Sequence, residues 1–416
     1  MNACARYAAT SPAMSFPPLA PKEPNQRTAI VDAMRGWALL SVVLVNYAIF
    51  YSFDAVIKIP AGDVTSRTLK FIVQLFFQAK GWTLLSLLFG YGFSALMSNI
   101  SRSDRSDLRA LRLYCRRMFW LLVFAVINSG IYCGDILKDY VIIGLVISVF
   151  YRAPRRTFLI LAVTCLIAFP ALIPLSRAVH IVTPVPDPPL GLYLSHNIWD
   201  VLRFGLLSGI HILLSFPKYF DWNLVMWTCG FLGAFLQKSG YFERLTYDRR
   251  PLWRSLWVSA LAAMLLPALN SGFVRLGWHI ERYYDAYMWF ELSLMVFFSS
   301  AVCWAFLKLS RTADFAAFQC VGRMTLTNYL AQNVIGLLLF SGFGLGLLHK
   351  EPYSFNIGLA MTIFGIQIWF SSWWLSRHRW GPVEWLWRSL TYGRLFSNKQ
   401  TTLARSSFPI GIKRSF

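Results

Sequence analysis

Charge is what this sequence has least of. Asp, Glu, Lys and Arg together make up 14% of its 416 residues, where a water-soluble globular chain carries about 25%. So few ionic groups cannot cover a water-facing surface, and with hydrophobic residues at 56% the composition argues against a soluble enzyme. Acid is scarcer than base, 19 residues against 40, for a net charge of +21. That excess does not point to nucleic acid, because no basic patch stands clear of the apolar runs. Positive charge between long apolar segments is a membrane-orientation signal. The seven cysteines include no CxxC and no Cys/His pairing, so neither a zinc site nor a disulfide framework is indicated and no metal is expected. There is no Walker loop and no GxGxxG, which leaves ATP and NAD without support. Residues 1–29 lack a continuous apolar stretch and read as a disordered cytoplasmic tail rather than a cleaved signal peptide.

What the sequence does have is long apolar runs. A spanning helix needs about 20 mostly apolar residues, because every backbone amide in hydrocarbon must bond within its own segment. Ten stretches qualify, at about 33–53, 81–99, 117–134, 136–151, 156–176, 219–237, 253–273, 287–307, 322–347 and 355–376. Residues 198–216 form either an eleventh span or a helix in the outer interface. Ten spans with both termini cytoplasmic place most of the arginines and lysines on one side. An eleventh would export the basic loop 238–254. The chain is thus expected to be an all-α integral membrane protein of the bacterial inner (cytoplasmic) membrane. Its single helical domain runs from 30 to 390, with an outer segment at 177–218 and a basic cytoplasmic tail at 391–416. Trp373, Trp374, Trp380, Trp385 and Trp387 are expected to form an aromatic belt. Five of the six histidines, His196 among them, fall in outer loops or near the outer face.

Several polar groups within or beside the spans are candidates for chemistry. Asp32 and Arg35 stand at i, i+3 at the start of the first span and share a face. They form either a helix-start pair or an anion contact at a cytoplasmic mouth. Asn46 follows Arg35 by eleven residues, about 16 Å along the helix, where it bonds another helix or orients an acyl carbonyl. Lys80 opens the second span and is expected to snorkel at the outer edge. Ser86 and Gly90 make a small-xxx-small pair that permits close helix packing. Arg102, Arg105, Arg109, Arg112 and Arg116 fall on one helical stripe, with Arg117 beside it. They serve orientation and anionic lipid, or bind phosphate, which arginine forks hold bidentately. Asp135 lies in the very short outer turn between the third and fourth spans. It is either a helix cap or a general base at the outer mouth, its pKa raised by desolvation. In the ninth span Asn328 and Gln332 share a face, which turns that helix toward the bundle interior. Glu384 and Arg388, at i, i+4, are expected to pair on an interfacial helix.

The segments VDAMRGWALLSVVLVN, KGWTLLSLLFGYGF, RRMFWLL with GDIL, GRMTLTNYLAQN and WGPVEWLWR stand in order from about Ile30 to Arg388. Together they resemble the YeiB-like family of bacterial multi-span membrane proteins, known as a domain of unknown function. That family in turn is similar to the transmembrane acyltransferase superfamily, which shares the D-x-x-R signature seen here as Asp32 and Arg35. The resemblance implies a bundle of about ten helices that moves an acyl group from cytoplasmic acyl-CoA, such as acetyl-CoA, to an acceptor on the opposite side. The O-acyltransferases of that superfamily carry a catalytic His where this chain has Asn46. YeiB-like members often have a His in the third span where this chain has Asn128. Neither amide serves as a general base.

The expectation is therefore a transmembrane acyltransferase with no permanently bound cofactor, which uses acyl-CoA as co-substrate. Arg35, Arg116 and Arg117 would hold the CoA phosphates. Asp135, with His196, would deprotonate a hydroxyl or amine of an extracytoplasmic glycan, lipid or peptide, and Asn46 would orient the acyl carbonyl. The competing classes are a transporter or permease, with Asp135, Lys80 and Asn328 lining the path, and a non-catalytic membrane partner protein.

Overall fold

Within the described residues the apolar runs fold mainly as helices, because backbone amides among apolar side chains must bond internally, and the 322–347 run is interrupted at Met324 and ends its helix at Phe340. The computed structural model describes residues 29–48, 59–60, 62–101, 107–178, 188–214, 220–245, 247–280, 283–285, 287–309, 313–348 and 350–399. Among these there is no β-strand. In chain order the helices are α1 (Ala29–Ala48), α2 (Val64–Phe76), α3 (Lys80–Ser101), α4 (Asp107–Ile131), α5 (Leu137–Val149), α6 (Arg155–Ala178) and α7 (Ile198–Leu214). They continue with α8 (Phe220–Lys238), α9 (Tyr241–Arg244), α10 (Arg250–Arg275), α11 (Tyr287–Leu309), α12 (Ala313–Arg323), α13 (Thr325–Phe340), α14 (Tyr353–Leu375) and α15 (Pro382–Tyr392). The expected N-terminal tail, His180 and His349, Arg102 and Arg105, and the tail beyond residue 399 lie outside the described residues.

Among the described residues six helical runs are long and apolar enough to cross a membrane: α1, α2 with α3, α6, α10, α11 and α14. The protein is an all-helical membrane protein. In α1, 78% of the apolar window is buried, so this helix is central, whereas 6% in α10 puts that helix at the periphery. The Trp257, Met264 and Leu269 side chains of α10 point outward. Of the expected aromatic belt, Trp373 is 41% exposed but Trp380 is buried at 4%.

Small residues set the closest helix contacts. A Cβ on Gly90 of α3 would overlap the backbone of Gly230 in α8, and one on Gly233 would overlap Leu87. The pairs 90 with 230 and 87 with 233 define an antiparallel register, which confirms the packing role read for Gly90. Gly36 of α1 lies against Phe318 of α12, and Gly322 lies against Asp32, in the same way. These contacts draw α1, α3, α8 and α12 together into the middle of the molecule.

The α4–α5 hairpin decides where the site lies. Helix α5 has 13 residues, about 20 Å at 1.5 Å per residue, against a hydrocarbon core of about 30 Å. At its tip Tyr132 and Asp135 are buried. Tyr193, Val201 and Phe204 close over Ile131, Tyr132 and Cys133, leaving only a small void. Helix α7 supplies part of this roof: its residues 202, 205, 206 and 209 all pack on Ser129 and Gly130 of α4. The two helices approach closely there, backbone against backbone at Gly205 and Gly130. At the start of α2, Asp63 accepts a 2.8 Å hydrogen bond from the Ser66 amide. Hydrogen bonding from Ser66 holds its carboxyl below the usual range. The chain after α15 does not leave the fold at 391 as expected, because Asn398 bonds the backbone of Arg379 and Trp380.

Candidate functional site

The five sequence segments singled out above are far apart in the chain, and the fold brings all of them to one cavity of about 850 Å³. Asp32 and Arg35 come from α1, Phe89 to Phe93 from α3, and Arg117 from α4. Ile136 and Leu137 come from the hairpin tip, Arg323, Thr325, Leu326 and Tyr329 from α12 and α13, and Glu384, Trp387 and Arg388 from α15. Lys238 and Arg244 complete a rim with six basic side chains. This is the arginine-rich end of the bundle.

Local chemistry explains each placement. Arg35 donates to Asp32 at 2.9 Å, as the i, i+3 spacing predicts. Arg117 stacks on the Trp387 ring with its guanidinium carbon 3.8 Å from the centroid. Trp387 returns a 3.0 Å hydrogen bond to the Arg117 carbonyl, so α4 and α15 are locked at the rim. Glu384 does not pair with Arg388 as the i, i+4 spacing suggested. Its Oε1 accepts from the amides of Leu326 and Thr327 at 2.7 and 3.1 Å, and its Oε2 accepts from the Thr327 hydroxyl at 2.5 Å. The orphan amides at a helix N-terminus attract a carboxylate more strongly than a solvated arginine does. Gly381 is required there, since a Cβ would strike Glu384. The Arg388 guanidinium instead lies over Trp380.

Asp135 sits in the hairpin tip and is 1% exposed. It is enclosed by protein rather than open at a mouth. All of its side-chain partners crowd onto Oδ1. Asn128 donates at 2.7 Å, the Leu137 amide at 3.2 Å and the Tyr329 hydroxyl at 3.1 Å. Oδ2 is buried without a partner. Lys138 reaches back to the Asp135 carbonyl. Asn128 is itself held by Asn333, which donates to its Oδ1 at 3.1 Å.

Other expected site residues are elsewhere. Arg116 is exposed and points at Gly393; it does not line the cavity, because neighbours on a helix face about 100° apart. The side chain of Arg109 lies outside the described residues. His196 is exposed and bonds neither oxygen of Asp135. Asn46 is buried on α1 beside Tyr47, whose hydroxyl donates to the Gln332 carbonyl at 2.7 Å. Lys80 does not snorkel. It is fully buried and pairs with Glu291 at 2.5 Å, also donating to the Gln74 carbonyl at 3.0 Å. Asn328 donates to Ser371 at 2.9 Å and Gln332 to Gln367 at 2.8 Å. The polar face of α13 therefore packs on α14, and neither Lys80 nor Asn328 lines the cavity. Tyr329, which joins the cavity to Asp135, was not singled out from the sequence. Its only signal there was position, one residue after Asn328 on a helix already read as interior.

Residues 236–394 match a family described as a protein of unknown function, DUF418. The uncharacterized protein YxaH of Bacillus subtilis is 29% identical over 405 residues, covering 90% of this chain and 96% of that protein. The uncharacterized protein YeiB of Escherichia coli is 29% identical over 406 residues, covering 88% and 96%. An uncharacterized 39.9 kDa protein of Bacillus acidopullulyticus is 25% identical, covering 89% and 96%. With its motifs gathered round one cavity, the chain is similar nearly end to end to the YeiB-like proteins and carries the DUF418 match in its C-terminal part.

Proposed function

We propose that this protein is a transmembrane acyltransferase, which takes an acyl group from cytoplasmic acyl-CoA and passes it to a hydroxyl or amine on the other side of the bacterial inner membrane. One observation carries the reading: an 850 Å³ cavity, ringed by Arg35, Arg117 and four further basic side chains, runs inward to the turn that holds a buried carboxylate. The volume falls within the range of small-ligand sites, about 300–1,000 Å³. Arginine forks suit phosphates, and the aromatic rings of Tyr247, Trp387 and Tyr392 at the cavity wall suit a purine. A nucleotide-bearing thioester combines both. The arginine-rich end is cytoplasmic by the positive-inside bias, and ten spans return both termini to that side. Asp135 is the base that takes the acceptor proton.

Two measurements test this. Acetyl-CoA binding by the purified protein in detergent is expected to weaken tenfold or more in Arg35→Ala and in Arg117→Ala, since a charge-assisted bond contributes about 1.5–3 kcal/mol. Arg116→Ala is expected to bind as the native protein does. No CoA binding by the native chain, or equal loss in all three variants, would sink the donor site. For topology, an alkaline phosphatase fusion after Leu190 is expected to be active and fusions after Leu108 or Arg244 inactive. Activity at Arg244 would mean that α7 crosses the membrane.

A further inference from the structure

The residues that wall the cavity include Ile136, Leu137 and Tyr329 but not Asp135. The carboxylate stands one layer behind. Tyr329 is the side chain that belongs both to the cavity wall and, through its hydroxyl, to the shell of Asp135. The same hydroxyl accepts a 3.3 Å hydrogen bond from the Ile136 amide, which fixes its oxygen and leaves its own proton directed at Oδ1. A donor thioester in the cavity meets the tyrosine before it can meet the aspartate.

We propose that Tyr329 is the acid of the transfer, delivering the proton that the departing CoA sulfur requires, with Asp135 as its proton source. This rests on the acyl-transfer reading above. The acceptor oxygen forms its bond to the thioester carbonyl carbon and gives its proton to Asp135, whose Oδ2 is the oxygen without a partner. The tetrahedral intermediate then collapses. Its C–S bond breaks, the electron pair stays on sulfur, and the Tyr329 hydroxyl proton goes to that sulfur. The proton held by Asp135 passes to the tyrosinate oxygen and restores both groups. The products are the acylated acceptor and free thiol, with every proton accounted for. Asn128 and Asn333 are positioning residues. Asn333 bonds the Asn128 carbonyl oxygen, which turns the Asn128 amide NH2 toward Asp135 Oδ1. Asn128 thus holds the carboxylate in place.

The test uses leaving-group dependence, which a merely structural tyrosine would not affect. Inverted membrane vesicles carrying the full-length protein are given labelled acetyl-CoA or S-(4-nitrophenyl) thioacetate, and label on vesicle glycans and lipids is counted. The nitrophenyl thiolate is stable enough to leave without a proton. Tyr329→Phe is expected to slow transfer from acetyl-CoA about 10²-fold, the usual size of a lost proton-transfer catalyst, with KM unchanged. Transfer from the nitrophenyl donor should stay close to the native rate. Asp135→Asn should slow both donors. Native-like transfer from acetyl-CoA by Tyr329→Phe, or equal slowing with both donors, would remove Tyr329 from the chemistry while leaving the acyl-transfer reading in place. Absence of any transfer by the native protein would overturn that reading and this proposal together.

Discussion

Replacing Asp135 with Asn is expected to lower acyl transfer from acetyl-CoA by about 10²–10⁴-fold, the range for loss of a general base, while acetyl-CoA binding survives. The substitution is nearly isosteric. An Asn oxygen in place of Oδ1 still accepts from Asn128, Leu137 and Tyr329, so the hairpin tip keeps its bonds and the variant should fold. Binding survives because Asp135 is not part of the cavity wall. The measurement is labelled acyl groups recovered on extracytoplasmic material, beside CoA affinity in detergent. A proton-coupled carrier would behave differently: counterflow exchange would persist in the variant, pH-driven uptake would be lost, and no acyl label would ever move. Transfer by Asp135→Asn at the native rate would leave Asp135 as a turn-forming residue.

The second large effect is on stability and concerns Lys80 and Glu291. Lys80 is fully buried, and its ammonium is shared between Glu291 at 2.5 Å and the Gln74 carbonyl at 3.0 Å. Glu291 also accepts from the Tyr287 hydroxyl at 2.8 Å. Removing one partner of a buried pair strands the other charge, which costs about 3–5 kcal/mol. Lys80→Met is therefore expected to destabilise the detergent-solubilised protein strongly. The double variant Lys80→Met with Glu291→Met should recover most of the loss, because replacing both charges by apolar groups of similar volume is close to neutral. Unfolding monitored by tryptophan fluorescence reads both. A single variant as stable as the native chain would show that water reaches the pair. The pair also joins the start of α3 to the second turn of α11, far along the chain, so its loss should loosen that junction before the arginine-rich end.

Much of this was legible from local pattern. Hydropathy located the helices, because apolar length is a property of each segment alone. The i, i+3 spacing of Asp32 and Arg35 gave a real ion pair. The polar spacing of Asn328 and Gln332 gave the buried face of α13. Gly90 gave a helix contact. Where the local rule was right in geometry but incomplete in competition, it failed. Glu384 and Arg388 are correctly spaced to pair, yet the amides that open α13 take the carboxylate. Lys80 is placed at a helix end where snorkelling is usual, yet an acid 211 residues away supplies a buried partner.

What the sequence by itself determined is the kind of molecule: a helical membrane protein, positively charged between its spans, with its polar residues concentrated in a few motifs. Tertiary structure alone decided which motifs meet and at what depth. Arg116 and Arg117 are adjacent in sequence, but only Arg117 faces the cavity, because helix rotation separates their directions. Asp135 and His196 both fall between spans, but the packing of the helices round the α4–α5 turn buries one and leaves the other in the open. Tyr329 lies 194 residues from Asp135. Hydrophobic periodicity is fixed within a turn or two of helix, whereas a hydrogen bond across such a separation exists only after every intervening helix has packed.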